Sequence, residues 1–177
     1  TVVRIQNMWK GINTDYYGFL APISEPLGKG EIKNALVVGA GGAARAVVWA
    51  LHNHGVKVTI LNRSLEHAQT LASETMSSFD TLENAHLYNG SVELVVQTTS
   101  VGMGSLSGEE SIPSFSFTGK EIAYDLVYDP KLTRFLNRAM EAGCTIIGGS
   151  QMLMEHGKLQ FEAFTGYHYP HWIQADI

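Results

Sequence analysis

Leu36-Val37-Val38-Gly39-Ala40-Gly41-Gly42-Ala43-Ala44-Arg45 decides how the rest of this chain is read. A short apolar run ends in a glycine cluster. An alanine-rich stretch comes next, with Val47, Val48 and Leu51 at helical spacing, and Gly55 closes it after His54. A strand that turns through small residues into a helix brings free N–H groups and the positive end of a helix dipole to one point. One glycine makes the tight turn, another lets the backbone approach a pyrophosphate, and a small residue lets helix and strand pack closely. Gly39, Ala40, Gly41, Gly42 and Ala43 are therefore candidate phosphate-binding residues. A structural turn uses glycine too, but the strand before and the helix after favour a nucleotide.

Outward from this stretch the chain alternates. Val56 to Leu61 reads as a second strand and Leu65 to Glu74 as a helix, with Ser64 as its N-cap. A weaker segment lies around Ala85 to Tyr88, then a strand from Glu93 to Thr98 and a Gly/Ser-rich loop from Ser100 to Ser116. Ile122 to Val127 is a strand, Thr133 to Ala142 a helix closed by Gly143, Thr145 to Ile147 a strand, and Met152 to Phe164 an amphipathic helix. Strands nearly continuous in Val, Ile and Leu, alternating with helices, predict an α/β fold. The expected form is a Rossmann-like, doubly wound parallel sheet with helices on both faces. The first thirty residues break the rhythm: Val2 to Gln6 as a strand, Asn13-Thr14-Asp15 as a helix cap, Asp15 to Leu20 as a helix, and Pro22, Pro26, Gly28 and Gly30 as a linker. The boundary falls between residues 1–30 and 31–177.

A dinucleotide fold that takes NAD carries a carboxylate at the end of its second strand, for the ribose hydroxyls. This chain has Asn62-Arg63-Ser64 there. A planar cation and a hydroxyl suit a 2′-phosphate, so NADP is the expected cofactor, the alternative being a solvated surface arginine. Gln97 to Met103, Asp125 to Tyr128, and Gly148-Gly149 each come after a strand on the same edge, where an open parallel sheet binds its ligands. Their convergence defines one crevice.

Composition narrows the classes. With 177 residues, 45% of them hydrophobic and 16% charged, the chain makes roughly one globular domain. A net charge of −5 argues against a nucleic-acid partner, and no apolar run approaches the length of a membrane span. Cys144 is the single cysteine, which excludes an internal disulfide and is read as buried and inert. No metal site is expected: His52 and His54 do not share a helix face, and His168 and His171 sit in an aromatic tail. Met152, Leu153, Phe161 and Phe164 are read as core positions of the last helix.

Six ordered motifs together resemble the shikimate dehydrogenase family: Gly11-Ile12-Asn13-Thr14-Asp15, GAGGAAR from Gly39 to Arg45, Asn62-Arg63-Ser64, TSVGM from Thr99 to Met103, DLVYDP from Asp125 to Pro130, and ML…F…FTG from Met152 to Gly166. The resemblance implies an NADP-dependent reduction of 3-dehydroshikimate to shikimate in aromatic amino-acid (chorismate) biosynthesis, with enzymes acting on quinate as close relatives. Asp15 matches the family's catalytic aspartate, the partner of a lysine. Gly39 to Ala43 match the pyrophosphate loop, and Asn62, Arg63 and Ser64 the 2′-phosphate stretch. Thr98 and Ser100 match the cofactor loop, Leu126 and Gly149 positions beside the nicotinamide, and Tyr128 a substrate-pocket tyrosine; Met152 is a further cofactor-binding candidate.

Four departures stand out. His67 takes the place of a second basic residue, Gln97-Thr98 of Asn-Ala, Tyr16 of a glycine, and His156 of a substrate-contacting glutamine. The family's N-terminal substrate half, with its lysine, has no counterpart in these residues. Residues 1–30 then read as a hinge segment carrying the Asn-Thr-Asp motif, and residues 31–177 as the NADP-binding domain. The expectation is a fragment that binds NADP(H) and turns over little. A split-enzyme half and a non-catalytic NADP-binding module stay open beside it, as does a homodimer. A cytoplasmic location is expected, or a plastid one for a plant parent.

Overall fold

A computed structural model describes residues 1–170. The chain opens with an antiparallel hairpin, β1 (Val2–Ile5) and β2 (Met8–Gly11), and then enters α1 (Thr14–Leu20). Asn13 caps this helix by accepting the Tyr16 amide at 3.2 Å. A 3-10 turn (Ala21–Ile23) and a short helix, α2 (Ser24–Gly28), replace the expected linker. Both prolines sit near helical starts, where the missing N–H has no intrahelical role to fill.

Six strands then form one sheet: β3 (Asn34–Val38), β4 (Lys57–Asn62), β5 (Ser78–Thr81), β6 (Leu94–Gln97), β7 (Ile122–Asp125) and β8 (Thr145–Ile147). Every neighbouring pair is parallel, in the order β5-β4-β3-β6-β7-β8. The order reverses between β3 and β6, so the connections leaving those two strands diverge and open a crevice at their carboxyl ends. Val38 pairs with Leu61 on one side and Gln97 on the other, which brings three strand ends level.

Side-chain alternation explains the two covered faces. Ala35, Val37, Ile60, Val96 and Tyr124 pack toward α1, α3 (Gly42–Asn53), α4 (Leu65–Thr75) and α6 (Gly149–Thr165). Leu36, Val38, Leu61, Val95 and Ala123 pack toward α5 (Arg134–Glu141) and the segment carrying Ile112 and Phe115. The strands are thus apolar on both sides, as a buried parallel sheet requires. Phe19 and Ile23 are fully buried in the first of these cores, so α1 and the turn after it pack onto the sheet.

Two strands have no counterpart in the sequence pattern. β5 carries Ser78, Phe79, Asp80 and Thr81 at the sheet's edge, with no apolar run, and β2 is exposed along its whole length. The weak segment before β6 is a 3-10 stretch, Leu82–Tyr88. Ser64 does occupy the N-cap position of α4, but its side chain makes no capping bond.

Candidate active site

The glycine loop is built by close backbone approach. Gly39 has φ +112°, and a Cβ there would lie 2.5 Å from Thr98 Oγ1 and 3.0 Å from Thr99 Cγ2. Its N–H donates to the Leu61 carbonyl at 2.8 Å, while the Thr98 amide and hydroxyl both donate to the Val38 carbonyl, at 2.9 and 2.7 Å. Three strand ends are thereby tied together. Gly41 and Gly42 face the other way: a Cβ at either would meet nothing within 4 Å. Gly41 is the N-cap of α3 and contributes no side-chain bond. The first-turn N–H groups therefore open onto free space that suits a diphosphate. Gln97, fully buried, shapes the adjoining loop by accepting the Thr99 amide at 2.5 Å and donating to the Val101 carbonyl at 2.8 Å.

At the end of β4, Asn62 Nδ2 donates to the Ser64 carbonyl at 2.9 Å and closes the turn. Arg63 is exposed on that turn and makes no side-chain hydrogen bond or ion pair among the described residues. His67 is exposed in the first turn of α4. A cation, a hydroxyl and an imidazole thus stand where the second strand of a dinucleotide fold meets the adenosine ribose.

A cavity of about 210 Å³ opens beside this crevice, lined by Asp15, Ala43, Leu126, Tyr128, Gly149, Met152, Leu153 and His156. Its walls come from four separated segments. α6 can start there because Gly149 has no side chain: a Cβ would collide with the Leu126 carbonyl and lie 2.7 Å from the Val127 carbonyl carbon. α1 crosses α6 at Gly18, where a Cβ would be 3.1 Å from the Met152 carbonyl oxygen and 3.3 Å from His156 Cβ. One turn before that crossing, Asp15 Oδ1 lies 2.8 Å from His156 Nδ1. The same nitrogen is 3.2 Å from Thr14 Oγ1, Thr14 Oγ1 is 3.0 Å from Thr1 Oγ1, and Gln160 Nε2 donates to Thr1 Oγ1 at 3.0 Å.

Known proteins share this chain's fold and much of its sequence. The family profile described as shikimate / quinate 5-dehydrogenase matches residues 24–110. A shikimate dehydrogenase (NADP(+)) of Desulforamulus reducens is 36% identical over 194 aligned positions, covering 100% of this chain and 65% of that protein. The crystal structure of shikimate 5-dehydrogenase from Thermus thermophilus, in complex with NADP(H) and shikimate, superposes with a TM-score of 0.80 at 37% identity. It covers 96% of this chain and 62% of its own. Quinate dehydrogenase from Corynebacterium glutamicum, in complex with NAD, gives 0.82 at 28% identity, covering 94% of this chain and 62% of its own.

The chain belongs to the shikimate/quinate dehydrogenase family. It corresponds to the NAD(P)-binding part and spans less than two thirds of the length of these relatives.

For a shikimate/quinate dehydrogenase domain, the structure gathers the expected residues into two neighbouring groups. Asp15, Ala43, Leu126, Tyr128, Gly149, Met152 and His156 share the cavity wall. Gly39, Gly41, Gly42 and Thr98 lie at the ends of β3 and β6, and Asn62, Arg63, Ser64 and His67 lie at the end of β4. Ser100 is exposed on the loop after β6.

Leu153, a core position by its spacing, is instead 38% exposed and forms cavity wall. Phe161 and Phe164 are also exposed, so only Met152 of that set is core. Cys144 precedes β8 and is only partly buried. Its thiol points to Glu121 Oε2 at 3.4 Å, and burial, together with that carboxylate, pushes its pKa up. His171 lies outside the described residues.

Asp125 has a role that its motif does not reveal. It is fully buried, accepting the Val127 amide at 2.9 Å and the Thr133 hydroxyl at 2.6 Å. Burial drives its pKa up to about 6, against the two hydrogen bonds and with help from the charge of Glu110. It fixes the turn that carries Leu126 to the cavity. An acidic residue at the end of an apolar strand is the sequence signal for it.

Proposed function

We propose that this chain binds NADP(H) and serves the interconversion of 3-dehydroshikimate and shikimate. The observation that carries the reading is the single cavity in which the motif aspartate, Asp15, faces the glycine loop's Ala43 and the start of α6. The amides at Gly41 and Gly42 would take the pyrophosphate, and Thr98 and Ser100 flank it. Arg63, with Asn62, Ser64 and His67, would hold the 2′-phosphate, a role that suits guanidinium geometry and leaves NAD without that partner. Leu126, Gly149 and Met152 form the apolar wall for the nicotinamide, which when bound supplies the hydride donor or acceptor. Asp15, Tyr128 and His156 are the polar groups that face the alcohol or ketone. The close fit at Gly149 and the buried turn at Asp125 hold this wall rigid, which is what placing a hydride against a carbonyl demands.

Titration of NADPH by its fluorescence, with a shikimate-oxidation assay beside it, tests the reading. Saturable NADPH binding is expected, with slow turnover, because the resemblance puts the ring pocket and lysine in the portion of the relatives that this chain does not span. Absence of NADPH binding overturns the cofactor assignment. Turnover at rates ordinary for a dehydrogenase overturns the expectation that the remaining portion is needed.

A further inference from the structure

Asp15 faces the cavity described above, but the next two residues of α1, Tyr16 and Tyr17, line a second and separate groove. It is open, about 790 Å³ in volume, and lies between the end of β2 and the end of α3. No residue lines both. Its size falls within the roughly 300–1,000 Å³ of small-molecule sites. Tyr16 stands where the resemblance puts a glycine, so this wall is a feature of this chain and not of the family.

The lining combines rings with hydrogen-bond donors and contains no carboxylate. The two tyrosine rings meet edge to face, with centroids 5.0 Å apart, and Ile12 and Leu20 add aliphatic surface. Asn53 Nδ2 donates to the Tyr16 hydroxyl at 3.4 Å, while Tyr17 is 56% exposed and leaves ring surface uncovered. Lys10, exposed on β2, makes no side-chain hydrogen bond or ion pair among the described residues. Asn13 Oδ1 already accepts the Tyr16 amide, so this side chain offers its Nδ2 donors. His54 Nδ1 lies 2.8 Å from the Ala50 carbonyl, which can only accept, so the ring donates there. That bond and the amides of His54, Gly55 and Val56 occupy the carbonyls of Ala50, Leu51 and His52. The negative end of α3 is thereby blunted toward an incoming anion.

We propose that this groove binds a small aromatic carboxylate, its ring against Tyr16 and Tyr17 and its charge on Lys10. A cation in a lining without carboxylates selects an anion over an amine. Two tyrosine rings select a planar ring over an aliphatic chain. The amides of Asn13 and Asn53 supply further donors at the rim. The proposal goes beyond the dehydrogenase reading and does not depend on it, because no residue of the groove is assigned to the nucleotide or to the alcohol.

The test is ¹H–¹⁵N NMR of the full 177-residue chain titrated with 4-hydroxybenzoate. Saturable shifts are expected at Tyr16, Tyr17 and Asn53, and saturating NADPH should leave them in place. 4-Hydroxybenzamide carries the same ring without the charge. Its binding to wild type, and that of the carboxylate to K10Q, should be weaker by about two- to fivefold, the scale of an exposed ion pair. Y17L should lose about two- to tenfold, the scale of an aromatic pair. Both side chains are exposed, so thermal midpoints of K10Q and Y17L should match wild type. Shifts confined to the cavity around Tyr128 and Leu153 overturn the proposal. So do the absence of a saturable shift at millimolar ligand, equal affinities in wild type, K10Q and Y17L, or a groove filled by AMP, an aromatic phosphate, and not by the carboxylate. Loss of NADPH binding with the groove titration intact counts against the dehydrogenase reading alone.

Discussion

On the proposed reading, Arg63 is the residue on which cofactor choice turns. It is exposed, free of protein partners among the described residues, and placed where a ribose substituent would come. A charge-assisted contact of this type contributes about 1.5–3 kcal/mol, which is roughly 10- to 150-fold in affinity. R63A should therefore weaken NADPH binding by that factor and leave NADH binding within about twofold; equal losses for both nucleotides would sink the assignment. Gly149 makes a second case. G149A places a methyl against the backbone of Leu126 and Val127. Because the obstacle is main chain, overpacking should cost about 1–3 kcal/mol in urea unfolding, and the nicotinamide wall should move with it. The glycine loop and the Asn-Arg-Ser turn are readable from sequence because each lies within a few consecutive residues. The Asp15–His156 contact is not, because it depends on two distant helices crossing at Gly18.

At the scale of elements, the turn from β7 into α5 is organised by one buried carboxyl. Asp125 holds the Val127 amide and the hydroxyl of Thr133, which in turn caps α5 by accepting the Leu136 amide at 3.3 Å. Its pKa is raised from 3.8 to about 6 in the folded protein. The folded state therefore binds this proton more tightly than the unfolded chain. Its contribution to stability is full below about pH 3.8 and is lost as pH rises through about 6, an effect on the order of 3 kcal/mol. D125N keeps the amide acceptor without the charge. Urea midpoints of D125N and wild type should lie close at pH 4.5, with the variant gaining on wild type by pH 7.5; parallel curves would contradict the raised pKa.

Elements also show what patterning conveys. β3, β4, β6 and β7 are legible as apolar runs because both of their faces are buried, and β8 is a shorter run at the sheet's edge in which Ile147 is buried. β5 and β2 are not, since neither holds a buried residue and so no buried face selects apolar side chains. Residues 22–30 read as a linker from their prolines and glycines, but a proline is as much at home in the first turn of a helix as in a loop.

At the scale of the whole molecule, the first and last described helices brace one another. α1 lies before the sheet and α6 after it, and they meet at Gly18 with almost no side chain between them. Phe19, on the same helix, stacks on Tyr124 of β7 with ring centroids 5.2 Å apart, so the sheet and both helices share one core. The glycine loop is held separately, by the ends of β3, β4 and β6. Wedging the helices apart should therefore disturb the α1–α6 side of the cavity and spare the glycine loop. In G18V the added branches meet the Met152 carbonyl and the backbone of His156, both on a helix that cannot yield locally. The expected cost is about 1–3 kcal/mol, seen as a lower thermal midpoint. NADPH affinity should fall by no more than a few-fold, while the Asp15–His156 contact is lost. If G18V instead abolishes NADPH binding in a chain that still unfolds cooperatively, the loop depends on the helix pair and the two parts of the site are not separable in this fold.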